Sequence, residues 1–101
     1  MEVKVNEVTS FKSNMTGTDG GNIVNGIADV SNKVLNNIDK GTITDSKGNQ
    51  LATWAWFGSL NLNYAADVDA ETMAVILTTV NSFLVYCKEN AANLINLTTN
   101  K

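Results

Sequence analysis

The chain has 101 residues, a net charge of −3 and a hydrophobic fraction of 44%. This favours one folded domain over residues 1–101, with a loose tail at 98–101. It contains no histidine and no proline, and its seven basic residues are all lysine. The commonest general base and metal ligand is therefore missing, as is the arginine fork that binds phosphate. With the acidic balance, this argues against an enzyme, a metal, a cofactor and nucleic-acid binding.

The first third of the chain is predicted to contain a strand, a loop and a helix. Val3 and Val5 alternate with polar residues, which predicts a strand over residues 2–9. Residues 13–21 carry three glycines among polar side chains and predict a loop, with Asp19 or Asn22 capping the next element. An anion site in this loop is the alternative, but the spacing fits neither common phosphate-binding motif.

Residues 22–39 are predicted to form the first helix. Apolar residues recur there at spacings of four, three, four and four, which is typical of one helical face. Gly41 follows as the predicted C-terminal stop. The apolar positions are Ile23, Ile27, Val30, Val34 and Ile38.

Residues 42–57 are predicted to form a β-hairpin, followed by a short strand over residues 60–65. The hairpin turn spans Asp45 to Asn49, with Gly48 in the left-handed conformation. A calcium loop is the alternative, but Asp45 alone brings a carboxylate where several oxygen ligands are needed.

The second hairpin strand should need cover on both faces. Ala52, Trp54 and Trp56 lie on one face, whereas the other face carries Leu51, Thr53, Ala55 and Phe57. An antiparallel strand with one wet face normally alternates cleanly between apolar and polar residues. The two tryptophans are therefore predicted to be core residues or, alternatively, anchors of an interface.

A long helix is predicted from Asp69 to about Leu97. Its predicted buried stripe is Met73, Leu77, Val80, Leu84, Cys87, Ala91 and Leu94. Asp67, Asp69 and Glu71 suit the N-terminal end of the helix dipole, and a carboxylate-based hydrolase or metal site is the alternative. The uncharged run over residues 72–87 is too short and too polar to predict a membrane span. Cys87 is expected to be a buried thiol.

The predicted order β-α-β-β-β-α gives an α+β domain with an antiparallel sheet of three to four strands packed against two helices. The surplus apolar surface favours a non-enzymatic structural or interaction protein that self-associates, such as a small phage-like virion or assembly component. It is expected in the cytoplasm or a virion, since no secretion signal is recognisable. The alternatives are an acidic inhibitor or immunity-type binder of a host protein, and a small-ligand protein. The candidate interface residues are Trp54, Trp56, Phe57, Val75, Val85 and Tyr86.

Overall fold

The computed structural model describes residues 1–4 and 9–94. Within those ranges the chain forms a five-stranded antiparallel sheet and one α-helix, so the α+β class is confirmed. Each strand pairs with the next, in the order β1-β2-β3-β4-β5. The elements are β1 (Ser10–Asp19), β2 (Asn22–Ser31), β3 (Val34–Thr44), β4 (Gln50–Trp56), β5 (Leu60–Tyr64), α1 (Ala70–Glu89) and a 3-10 helix (Ala91–Asn93).

The prediction of three to four strands and two helices is wrong. The predicted loop and first helix, residues 13–39, instead lie in β1, β2 and the first half of β3. In β2, the side chains of Val24, Ala28 and Val30 are buried, whereas Ile23 and Ile27 lie on the opposite face and are only half-buried. The helix-like spacing arises because apolar residues from both faces of β2, and from β3 beyond the turn, form one series in the sequence.

Two tight turns join these strands. Gly20 and Gly21 connect β1 to β2 and have φ angles of 57° and 89°. They lie between the paired residues Asp19 and Asn22, so neither of these two residues caps a helix, in contrast to the prediction. Asn32 and Lys33, with φ angles of 51° and 67°, connect β2 to β3. Two-residue turns with positive φ at both positions match the twist of an antiparallel hairpin.

Gly41 does not stop a helix either, because it lies inside β3 opposite Trp54. The pairing of β3 shifts between Asp39 and Thr42 on the β2 side and between Ile38 and Gly41 on the β4 side. Lys40, within both intervals, has a φ of 53° at this bulge. An extra residue with positive φ is the usual backbone of such a bulge.

The second half of the chain follows the prediction more closely. The hairpin forms as β3 and β4, Gly48 has a φ of 87°, and the following strand forms as β5. Asp69 is the N-cap of α1: its Oδ1 accepts a hydrogen bond from the Thr72 backbone N at 2.8 Å. The helix ends at Glu89 and not near Leu97, and residues 95–101, including the tail at 98–101, lie outside the described residues.

The predicted N-terminal strand is absent from the part of it that the structure describes. Residues 2–4 and Thr9 have no regular secondary structure, and residues 5–8 lie outside the described residues. The paired part of the chain begins at Ser10.

Helix α1 covers one face of the sheet, and the core lies between them. The predicted stripe was partly wrong, because Leu77 is exposed, whereas Ile76 and Phe83 are buried. The buried residues of α1 are Ile76, Thr79, Val80, Phe83, Leu84 and Cys87. The sheet contributes Val24, Ala28, Val30, Leu35, Ile38, Ile43, Ala52 and Trp54.

The opposite face of the sheet, the open face, carries mostly polar side chains. One row crosses all five strands through the paired residues Thr16, Asn25, Thr42, Thr53 and Asn63. Within this row the Thr16 hydroxyl donates a hydrogen bond to Oδ1 of Asn25 at 2.6 Å. The open face can therefore contact solvent. Both faces of β4 were predicted to need cover, but the strand needs it mainly on the face that packs against α1.

Candidate functional site

The two tryptophans differ in their surroundings. Trp54 is 3% exposed, its Nε1 donates to the Thr42 carbonyl oxygen at 3.2 Å, and its ring packs edge-to-face on Phe83 at 5.7 Å between centroids. Trp56 is half-buried, and the Lys88 ammonium lies 4.6 Å from its ring centroid. Trp54 thus belongs to the core, and folded protein does not present it to a partner.

The other predicted interface residues are exposed but do not form one patch. Phe57 lies beyond the end of β4, on the side of the sheet where β4 pairs with β5. Val75 and Tyr86 are eleven residues apart on α1, which is about three turns and places them on one flank. Val85, half exposed, points away from the sheet next to that flank. The flank of Val75 and Tyr86 is the one nearest β1.

A groove of about 490 Å³ lies between β1 and this flank of α1. Its apolar lining includes Met15, Val24, Phe83 and Tyr86. Gly17 lets the Phe83 ring lie close to the β1 backbone at the floor of the groove, since a Cβ at this position would lie 3.2 Å from Cδ2 of Phe83. We call this feature the β1–α1 groove. Tyr86 is the only predicted interface residue among those that line it.

Polar groups at one end of the groove bind each other. The buried Thr79 hydroxyl donates to Oδ2 of Asp19 at 3.5 Å, which ties α1 to the last residue of β1. Over residues 1–4 and 9–94, no buried side-chain nitrogen or oxygen lacks a hydrogen-bond partner. The groove is therefore suited to an occupant that brings apolar side chains.

The outer edge of β1 runs along the mouth of this groove. β1 is a terminal strand of the sheet, and its ten residues pair with β2 without a register shift. The side chains of Ser10, Lys12, Asn14, Thr16 and Thr18 are exposed. An outer strand presents a row of backbone N–H and C=O groups that have no partner in their own sheet.

The acidic residues serve turns and a helix cap. Asp45 accepts hydrogen bonds at 2.9 Å from the backbone N of Lys47 and of Asn49, and the bonds from Asn49 hold the pKa of its carboxyl below 3.8. Hydrogen bonding to Thr72 likewise lowers the pKa of Asp69. Asp45, Asp67 and Asp69 line a shared groove of about 460 Å³. Among the described residues, however, no three His, Cys, Asp or Glu side chains are placed to bind one metal ion.

Two features of α1 bear on other roles. The Cys87 side chain is buried, and desolvation raises the pKa of its thiol to about 11, so its reactive thiolate form is suppressed. By length and composition alone α1 could cross a membrane. Core helices pass the same test, and six side chains of α1 are buried against the sheet.

Sequence reasoning missed the groove because it assigned β1 to a loop. The available signal was the Asp19-Gly20-Gly21-Asn22 segment, in which two glycines between possible strands indicate a hairpin. No protein-family model, curated protein or solved structure was found to match the chain.

Proposed function

We propose that this chain is a non-enzymatic interaction protein that associates with copies of itself on the side formed by β1 and the adjacent flank of α1. The observation that carries the proposal is the combination of a long, regular edge strand, whose outer side pairs with no other described strand, with an apolar groove beside it. Native proteins normally shorten, bend or cover such an edge, because it otherwise pairs with another chain.

Two of the exposed apolar residues of α1 support the same side. Tyr86 is 45% exposed at the mouth of the groove, and Val85 next to it is 50% exposed. Tyrosine is among the residues that contribute most to binding energy in interfaces, because it buries a large surface and keeps a hydrogen-bonding hydroxyl. A second chain lying along β1 would cover this side chain.

The chemistry of the chain supports a binding role over a catalytic one. It has no histidine or arginine, and its buried thiol has a raised pKa. The carboxylates of Asp45 and Asp69 already accept backbone hydrogen bonds. A general acid, base or nucleophile needs a side chain that is free to face a substrate.

Sedimentation velocity over a range of concentrations tests the proposal. Wild-type protein is expected to sediment above the 10.8 kDa of the single chain as concentration rises. Tyr86→Ser should raise the dissociation constant by about 30-fold for each Tyr86 that the interface buries, if Tyr86 is a hot spot of roughly 2 kcal/mol.

Leu77→Ser is the matched control. Leu77 is an apolar residue of α1 with 41% exposure, close to that of Tyr86. It lies nine residues before Tyr86, about two and a half helical turns, and therefore on the opposite flank of α1. Its replacement should leave association unchanged. Wild-type protein that remains a single chain at about 100 μM, roughly a hundred times a micromolar dissociation constant, would contradict the proposal. Capture of a different, basic protein by that monomer would favour the acidic-binder alternative.

A further inference from the structure

The two outer strands of the sheet differ in how open they are to pairing. β5 has five residues, and shortness is one of the usual protections of an edge. β1 has ten residues, contains no proline and has no bulge in its pairing with β2. Its single lysine is the one protective charge within Ser10–Thr18. β1 is thus the edge that favours addition of another strand.

The register of the β1–β2 hairpin determines which backbone groups face outward. Asp19 and Asn22 flank the two-residue turn, so they form a hydrogen-bonded pair. Hydrogen-bonded pairs recur at every second residue, so the odd-numbered residues of β1 direct N–H and C=O toward β2. The even-numbered residues from Ser10 to Thr18 direct theirs outward.

We propose that β1 pairs antiparallel with β1 of a second copy, with Asn14 facing Asn14 of that copy. The pairing joins two five-stranded sheets into one continuous sheet, with both α1 helices on the same face. It gives the self-association proposed above a specific geometry. A two-fold axis beside Asn14 generates it, and such closed, isologous contacts are the commonest in homodimers.

Side-chain sizes favour this register. When Asn14 faces Asn14, Phe11 of the second copy lies opposite Gly17. Gly17 forms part of the β1–α1 groove beneath Phe83, and Phe11 is only half-buried in its own chain. Phe11 packs partly against the core of its own chain, and its remaining exposed surface would lie beside the groove of the other copy, next to Phe83 and Tyr86. A shift by two residues in either direction would place Phe11 against Asp19 or Met15 and lose the match with glycine.

Charge favours the same edge. Each chain carries a net charge of −3, so two copies repel one another overall. Residues 10–18 contain no carboxylate, and their one charge is Lys12. In the proposed register Lys12 lies opposite Thr16 of the second copy, so the two lysines do not face each other. Directly opposed like charges would weaken the pairing.

Disulfide trapping tests the register. Hydrogen-bonded antiparallel neighbours have Cα atoms about 5.5 Å apart, within the range that a disulfide bridges. Under mild oxidation, Asn14→Cys should therefore form a covalent dimer. Lys12→Cys and Thr16→Cys should each remain mostly uncrosslinked alone but should crosslink when mixed. The native Cys87 is buried and stays in place in every variant.

Charge substitution gives a second test without covalent chemistry. Asn14→Lys places two lysines opposite each other and should raise the dimer dissociation constant about five-fold, the effect of roughly 1 kcal/mol for a cross-strand pair. Mixing Asn14→Lys with Asn14→Asp should restore association by forming the mixed dimer. Asn63→Lys is the matched control, because Asn63 is an exposed asparagine on the open face of the other outer strand. It should have no effect.

The outcomes separate this inference from the proposed function. A wild-type protein that never dimerises overturns both. A wild-type dimer in which Asn14→Cys fails to crosslink, or in which Asn63→Lys weakens association as much as Asn14→Lys, overturns only the β1 pairing.

Discussion

Trp54 lies directly opposite Gly41 in the β3–β4 ladder, and its indole occupies the space that a side chain at Gly41 would fill. A Cβ at Gly41 would lie 2.5 Å from Cε2 of the ring and 2.5 Å from the Trp54 carbonyl oxygen. The ring also crosses toward β2, where a Cβ at Gly26 would lie 3.4 Å from its Cη2 atom. Glycines on two neighbouring strands thus leave the space that the Trp54 indole, the largest side chain of the core, occupies.

We predict that Gly41→Ala destabilises the fold by about 1–3 kcal/mol, the usual cost of overpacking a core. Urea denaturation followed by tryptophan fluorescence would measure the loss. Trp54→Phe makes the ring smaller but leaves the Trp54 carbonyl oxygen in place, so in a double-mutant cycle the alanine should cost less, but still destabilise, in that background. Equal costs in the two backgrounds would mean that the ring does not explain the need for glycine at position 41.

Lys33 is the second residue of the β2–β3 turn and has a φ of 67°. This conformation costs a residue with a Cβ roughly 1–2 kcal/mol, whereas glycine adopts it freely. Glycine also loses more conformational entropy on folding, which offsets part of this gain. Lys33→Gly should therefore raise the free energy of unfolding by about 0.5–1 kcal/mol.

Lys33→Ala separates backbone strain from charge. Alanine removes the same ammonium group but keeps the Cβ, so its free energy of unfolding should stay close to that of wild type. Thermal or urea unfolding of the three proteins under one set of conditions would compare them. An equal gain from alanine and glycine would contradict the role of the strained backbone.

Lys33 also explains part of what the sequence could not predict. An Asn-Gly pair between residues 31 and 34 would have indicated a hairpin, but Asn32-Lys33 gives no such signal. Without a visible turn, the apolar residues of β2 and β3 merged into one helix-like series. The buried positions of β2 include Gly26 and Ala28, which look unlike core residues until Trp54 and α1 are packed on them.

The second half of the chain was predictable because local chemistry and tertiary packing agree there. Asp69 both caps α1 and precedes its apolar run, and Gly48 takes the positive φ that its turn needs. The candidate site was harder to predict from the sequence. Tyr86 could be named from helical periodicity, but the groove requires β1, whose mostly polar edge residues resemble a loop in the sequence.

Acid should destabilise the protein partly through Asp45 and Asp69. Hydrogen bonds lower the pKa of both carboxyl groups in the folded state below 3.8. Their contribution is therefore complete above the unfolded-state pKa and is lost as pH falls through the lower folded-state value. The melting temperature should fall between about pH 5 and pH 2, the range in which carboxyl groups with depressed pKa values become protonated.

The double substitution Asp45→Asn with Asp69→Asn should flatten that pH dependence. Asparagine is nearly as good an N-cap as aspartate, so stability at neutral pH should change little at Asp69. Melting curves of the variant and wild type across this range provide the comparison. A variant that loses as many degrees as wild type on acidification would assign the effect to other carboxyl groups.

Cys87 should be protected from thiol reagents as long as the protein is folded. Its side chain is buried in α1, and desolvation raises the pKa of the thiol to about 11, from an ordinary value of 9.0. Reaction requires the thiolate, so at about pH 8 both the low thiolate fraction and the lack of access slow it.

A chromogenic disulfide reagent should modify wild-type protein slowly in buffer and rapidly in denaturant. The exposed thiol of an Asn63→Cys variant, on the open face away from the proposed β1 pairing, is the control, since it should react at once in the folded state. The raised pKa also implies that this thiol stabilises the fold below pH 9.0 and that its contribution declines as pH rises toward 11. Modification of wild-type Cys87 as fast as that control would show that α1 separates from the sheet readily, and would contradict the packing of α1 described above.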